Sequence, residues 1–115
     1  LAINALNGVE NFKDIVGVTS VKIDTQRHVT NNANSNILAQ NIAINAGADI
    51  NNRGNIVSDY TLTAKTTGNI YNYLNMLSYG VAGVTANTVT NSGKDSVFGG
   101  LYGMELTNTG TIVGM

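Results

Sequence analysis

Six asparagines recur along the chain at nearly even steps, each two residues after an aliphatic residue. They are Asn11, Asn31, Asn52, Asn72, Asn91 and Asn108, separated by 20, 21, 20, 19 and 17 residues. The leading aliphatics are Val9, Val29, Ile50, Ile70, Val89 and Leu106. An apolar doublet follows each asparagine after four or six positions: Ile15-Val16, Ile37-Leu38, Ile56-Val57, Met76-Leu77, Val97-Phe98 and Ile112-Val113. A period near 20 residues is that of a solenoid, in which one repeat is one coil and buries its apolar face by stacking on the next. Asparagine is abundant, 18 of 115 residues, so the spacing argues for the repeat more than the count does. No seventh aliphatic-x-Asn triplet interrupts the series.

Helix explains this chain poorly, because Asn, Thr, Gly and β-branched residues are mediocre to bad helix formers. Short alternating runs are frequent instead: Val18 to Ile23, Ile42 to Ile44, Leu62 to Ala64 and Val84 to Ala86. Period-two alternation rich in β-branched residues reads as strand. Turn residues separate the runs at 32–36, at 51–55 with Gly54, at 66–69 with Gly68, and at Ser92-Gly93. Each coil is therefore expected to hold two or three short strands joined by tight turns. Stacking pairs every strand in parallel with its counterpart about 4.8 Å away. Proline, which removes a ladder hydrogen bond inside a central strand, is absent.

In such a stack like residues form columns. The leading aliphatics supply one inward column and the doublets another, with one doublet member outward or at a bend. A stacked primary amide donates through its NH2 to the amide oxygen of the next coil or to turn backbone. An inward asparagine ladder would thus satisfy polar groups that tight turns otherwise bury unpaired. Asn72→Ala is expected to cost roughly 1–3 kcal/mol if the amide is buried. The alternative is a row of exposed turn asparagines. The doublet comes two residues later in the second and fifth copies, which enlarges the turns at 32–36 and 92–96.

Composition limits the function. Only 11% of the residues are charged, against an average of about 25%. Yet 43% are hydrophobic, unlike a disordered chain. The net charge of −1 creates no basic field for nucleic acid or anionic lipid. No apolar run approaches the roughly 18–20 residues of a membrane span. Cysteine is absent, which fits a chain exported unfolded and held together without disulfides. The first residues show no signal-peptide pattern. Residues 1–115 are expected to form a single β-solenoid segment of about six coils, cut from a much longer repeat protein.

The stretches Val84 to Gly93 and Met104 to Ile112, and Ile50-Asn51-Asn52-Arg53-Gly54-Asn55-Ile56, run alternating residues into Asn-x-Gly and then an aliphatic pair. This resembles the haemagglutinin-type repeats of bacterial two-partner-secretion exoproteins, such as filamentous haemagglutinins and contact-dependent inhibition exoproteins. Gly54, Gly93 and Gly110 match the motif glycine, and Lys13, Ala33 and Leu74 depart from it. The resemblance is diffuse but covers most of the chain. It implies a right-handed parallel β-helix from the shaft of a secreted or cell-surface adhesin of a Gram-negative bacterium. It also implies an outer-membrane transporter as partner during secretion. Neither the amino-terminal secretion domain, with its Asn-Pro-Asn motifs, nor a toxic carboxy-terminal domain is resembled.

A catalytic β-helix needs carboxylates at matching offsets in nearby coils. Counted from the preceding ladder asparagine, only Asp24 and Glu105, and Asp14 and Asp95, nearly match, and each pair lies four coils apart. His28 is the sole histidine and reads as a turn or surface residue. No metal ligand set, catalytic triad or phosphate-binding glycine motif is present. Gly99-Gly100 with Gly103 reads as a bend or close coil contact. No cofactor and no catalytic residue is expected. Tyr71 and Tyr73 flank Asn72 and point outward if it points inward. With Tyr79 and Tyr102 they are candidate glycan contacts. Thr88-Val89-Thr90 and Thr107 to Thr111 hint at an ice-binding threonine array that earlier coils lack. The leading expectation is a non-catalytic shaft segment. A glycan- or receptor-binding module and a small self-assembling β-fibre are the alternatives.

Overall fold

A computed structural model describes residues 1–92 in full and, beyond them, the backbone pairing of Ser96–Val97, Gly100–Asn108 and Ile112–Val113. The strands in chain order are β1 (Ala2–Ala5), β2 (Val9–Asn11), β3 (Asp14–Val16), β4 (Ser20–Thr25), β5 (Val29–Asn31), β6 (Asn36–Ala46) and β7 (Ile50–Asn52). They continue as β8 (Asn55–Thr66), β9 (Asn69–Asn72), β10 (Asn75–Ser78), β11 (Val81–Asn91), β12 (Ser96–Val97), β13 (Gly100–Asn108) and β14 (Ile112–Val113). Every strand pairing among the described residues is parallel, and no helix occurs among them. The chain is a β-solenoid with coils of about 20 residues.

Three faces make up the coil. The first face stacks β1, β4, the ends of β6 and β8, and the starts of β11 and β13. The second stacks β2, β5, β7, β9 and the ends of β11 and β13. The third stacks β3 and the starts of β6 and β8 with β10, and pairs β12 with β14. From Asn11 to Asn91 the chain makes four complete turns, since each step of the second face returns to the same register position.

Short strands are favoured here because a parallel pair needs a connection of a dozen or more residues, and the other two faces of the coil supply it. The expected aliphatic column is in register, Val9 to Val29 to Ile50 to Ile70 to Val89. From Val29 to Val89 these residues are buried. Ile37, Ile56 and Met76 form the doublet column on the third face, and Val21, Ile23, Ile42, Ile44, Leu62, Ala64, Ala82 and Val84 fill the first.

The structure resolves the doublets. Their first members, Ile37, Ile56 and Met76, are fully buried, while Val16 is exposed and Leu38, Val57 and Leu77 are half-exposed. The strand period of two forces this choice. In the last two copies the expected alignment is off by one residue. Backbone register pairs Ser96 with Ile112 and Val97 with Val113, so Val97 does not stand level with Ile112.

Two corners differ from the expected tight turns. β6 and β8 run unbroken from the third face to the first. The bend is a bulge: Ala39 pairs with Ser58 and Asn41 with Thr61, so Gln40 opposes both Asp59 and Tyr60. A bulge adds one residue to one strand and kinks it without ending it. β11 likewise passes from the first face to the second. The enlarged turn at 32–36 is present. Ser35 N–H donates to the Asn32 carbonyl at 3.2 Å, and Asn34 takes the left-handed φ of 62°. The second enlarged turn, Gly93, Asp95, Phe98, Gly99 and Gly110 lie outside the described residues, as do the side chains of Tyr102, Glu105 and Asn108.

Candidate functional site: a carboxamide ladder and an outer rail

Asn11, Asn31, Asn52, Asn72 and Asn91 end the strands of the second face and point inward at the corner towards the third. Asn31, Asn52, Asn72 and Asn91 are at most 1% exposed and Asn11 is 7% exposed. Each Nδ2 donates to the Oδ1 of the coil above: Asn11 to Asn31 at 2.8 Å, Asn31 to Asn52 at 2.9 Å, Asn52 to Asn72 at 2.8 Å and Asn72 to Asn91 at 2.7 Å. Backbone register places Asn108 over Asn91.

The second amide hydrogen serves the corner. Asn11 donates to the Asn36 carbonyl at 3.0 Å, Asn31 to the Asn55 carbonyl at 3.2 Å and Asn52 to the Asn75 carbonyl at 2.7 Å. Oδ1 in turn accepts from corner N–H groups, Lys13 at 3.3 Å and Gly54 at 3.2 Å. A primary amide has two donors and two lone pairs, and Asn52 uses all four. Asparagine is required because its short stem reaches both the next coil and its own turn. The inward reading of the ladder therefore holds, and the exposed-turn alternative does not.

A second ladder lies outside the first. Asn36 donates to Asp14 Oδ1 at 2.8 Å, Asn55 to Asn36 Oδ1 at 3.0 Å and Asn75 to Asn55 Oδ1 at 2.8 Å. Its donors point towards the amino-terminal coil, opposite to the inner ladder. The Asp14 carboxylate, which only accepts, sets that direction at the foot. Asn36, Asn55 and Asn75 thus give their carbonyls to the inner ladder and their side chains to the outer rail. Sequence reasoning missed this rail, although a signal existed: Asp14, Asn36, Asn55 and Asn75 each stand just before a doublet.

Gly54 is held by close approach, not by a special φ. A Cβ there would meet the Ser35 carbonyl oxygen at 2.2 Å and that of Asn32 at 2.7 Å. Lys13 makes the same corner bond to its ladder asparagine as Gly54 does, and the longer corner at Ala33 passes through Asn34. Two buried hydroxyls, Ser35 Oγ and Ser58 Oγ, have no hydrogen-bond partner among the described residues.

The remaining candidates are dispersed. Tyr71 is half-buried and Tyr73 is 47% exposed, both outward as the alternation requires. Tyr71 Oη accepts from Asn69 Nδ2 at 3.2 Å. The Arg53 guanidinium lies 5.4 Å from the Tyr73 ring centroid. Tyr79 is 58% exposed and sits at another corner. Asp24 and Glu105, close in chain offset, fall on different faces: Asp24 pairs with Asn45 on the first, and Glu105 with Thr88 on the second. Offset misleads here because corners differ in length. Asn45 Nδ2 donates to Asp24 Oδ1 at 2.9 Å, and Lys22 lies 3.6 Å from the same carboxylate. No cluster of three or more potential metal donors occurs among the described residues. His28 is half-buried, packed under Gly8. Thr88 and Thr90 stand over Asn69 and Tyr71, so the threonines do not continue downward as an array.

These features define the class, a parallel β-solenoid braced by an internal carboxamide ladder and an oppositely directed outer rail. No protein-family model, curated protein or solved structure matches the chain.

Proposed function

We propose that this chain is a non-catalytic shaft segment of a large secreted or cell-surface bacterial adhesin or exoprotein. The observation that carries the reading is the unbroken inner ladder. Every described coil from Asn11 to Asn91 is tied to the next by a buried amide–amide hydrogen bond, and the first four of these coils also by strand pairing on three faces. Such a stack resists bending and shear, because any tilt between coils must break buried bonds together. Its work is mechanical: it holds a distal receptor- or glycan-binding region away from the cell. The absence of cysteine and the haemagglutinin-type repeat pattern support export through an outer-membrane transporter. The Asp24 neighbourhood, one carboxylate between amides and a lysine, lacks a second acid for glycoside chemistry.

The test is the size and location of the parent polypeptide, read by probing producing cells with an antibody against this chain. A surface or secreted band many times heavier than 12.0 kDa is expected. A cell-associated band at 12.0 kDa would sink the shaft reading and favour a free-standing fibre or binding module.

A glycan-binding module is the second reading, favoured by the Arg53–Tyr73 pair beside Tyr71 on one outward surface. An aromatic ring with a fixed cation suits an anionic sugar. Loss of binding to a glycan array on changing Tyr71 and Tyr73 to Ala, with the fold intact, would select it.

A further inference from the structure

Asn7 and Gly8 form the only Asn-Gly dipeptide in the chain. They lie in the bend between β1 and β2, where the first face passes to the second. Asn7 is exposed, and its amide has no hydrogen-bond partner among the described residues. The inner ladder differs, because its buried amides spend their donors on the next coil and the corner. So does the rail, where Asn36, Asn55 and Asn75 each donate to the coil below.

Gly8 has a φ of 104°, a region that side chains rarely enter. A Cβ there would also meet His28 Cε1 at 2.8 Å and the His28 carbonyl oxygen at 3.0 Å. Both constraints hold position 8 as glycine and leave its backbone nitrogen without a side chain beside it. The Gly8 N–H has no hydrogen-bond partner among the described residues. Nor have the N–H groups of His28 and Asp49, at the same corner position in the next two coils. The Gly8 nitrogen is therefore free because of where the corner lies, not because its coil is the first. Asn34 is the counter-example. It is exposed too, but the nitrogen that follows it is engaged, since Ser35 N–H donates to the Asn32 carbonyl at 3.2 Å.

We propose that Asn7-Gly8 is a self-modification site, at which the asparagine converts to aspartyl and isoaspartyl residues without an enzyme. The Gly8 amide nitrogen gives up its proton and attacks Asn7 Cγ. The new C–N bond closes a five-membered succinimide, the Cγ–Nδ2 bond breaks, and ammonia leaves with the proton. Water then opens the ring. Opening at Cγ yields aspartate with the chain path unchanged. Opening at the backbone carbonyl carbon yields isoaspartate, in which the chain runs through the former side chain. Either product adds one carboxylate to a chain of net charge −1. Isoaspartate also adds a methylene to the path from Ala5 to Val9. That path has the same number of residues as those from Thr25 to Val29, Ala46 to Ile50 and Thr66 to Ile70, with which it stacks. The isoaspartyl coil no longer fits the coil above at this corner.

The experiment is incubation of the whole folded chain in warm, mildly alkaline buffer, with peptide mapping by mass spectrometry. Asn7→Gln and the parent chain unfolded in guanidinium chloride run beside it, and far-UV circular dichroism checks both folded samples. The expected result is ammonia loss followed by the amide-to-acid mass gain at residue 7, at least tenfold faster than at Asn34 or any ladder asparagine. The folded chain should convert residue 7 at no less than a third of the unfolded rate. Asn7→Gln should slow the conversion at least tenfold, because glutamine must close a six-membered ring. An Asn7 that keeps its amide in the folded chain while the unfolded chain converts overturns the proposal. So does an Asn7→Gln chain that gains acid as fast as the parent, which would place the reaction at another asparagine.

Discussion

Asn52→Ala removes one rung of the inner ladder and measures what the rung is worth. Asn52 is fully buried and makes four hydrogen bonds. It donates to Asn72 Oδ1 at 2.8 Å and to the Asn75 carbonyl at 2.7 Å, and accepts from Asn31 Nδ2 at 2.9 Å and Gly54 N–H at 3.2 Å. At about 1 kcal/mol net for each bond, the loss is about 4 kcal/mol. Asn31 Nδ2 keeps its bonds to the Ser35 and Asn55 carbonyls, which limits the damage below. The Gly54 N–H and the Asn75 carbonyl have no such second route in the ladder, and a buried unpaired group costs about 1–3 kcal/mol. The expected range is therefore about 3–5 kcal/mol, above the roughly 1–3 kcal/mol that sequence alone suggests for such a change. A chain of 115 residues has a total stability of about 6–17 kcal/mol, so this one side chain takes a large share. The assay is urea unfolding followed by circular dichroism. With a slope of about 2 kcal/mol/M, the midpoint falls by about 2 M. Asn51→Ala, one residue earlier and outward, is the control and shifts stability by less than about 0.5 kcal/mol. A loss under about 1 kcal/mol at position 52 would refute the argument, since it would mean that water replaces the amide at no cost.

Asn52→Asp keeps the shape but loses the donors, placing an acid against two oxygens in a buried site. Both effects raise the folded pKa above the unfolded value of about 3.9, so stability is greatest below about pH 4 and falls as pH rises through the folded value. The variant's deficit against the parent should shrink on acidification, and an equal deficit at acid and neutral pH would contradict this. Ile56→Ala, at an inward position, is expected to cost about 2–5 kcal/mol, and Val57→Ala, outward beside it, less than about 1 kcal/mol; comparable losses in urea titrations would overturn the assigned register. Gly54→Ala forces a Cβ against the Ser35 carbonyl and should lower stability by about 1–3 kcal/mol, read as a drop in thermal midpoint. Ser58→Ala removes a buried unpartnered hydroxyl at a position where the coil below already carries Ala39. It should raise stability by about 1 kcal/mol, and a fall in the midpoint would show that the hydroxyl has a partner.

The stacking itself was legible in the chain. Each coil contributes one residue to each column, so Val29, Ile50, Ile70 and Val89 announce an inward column by spacing alone, and Asn31, Asn52, Asn72 and Asn91 announce the ladder. A signal of the outer rail was in the chain too, in Asp14, Asn36, Asn55 and Asn75 before the first four doublets, but these residues lie where turn asparagines are ordinary. What chain spacing could not supply was direction and face. A slip of one residue turns a side chain from core to solvent, so the choice of Ile56 over Val57 waited on the pairing of β6 with β8. Corners of unequal length add residues that a count from the last asparagine carries forward. That is why Asp24 and Glu105 have nearly matching offsets but not a common face, and why Ser96, not Val97, stands level with Ile112. The polarity of the two ladders also belongs to the tertiary structure. An amide is as ready to donate upward as downward, and only the neighbours in the adjoining coils, the Asn36, Asn55 and Asn75 carbonyls for one ladder and the Asp14 carboxylate for the other, choose between them.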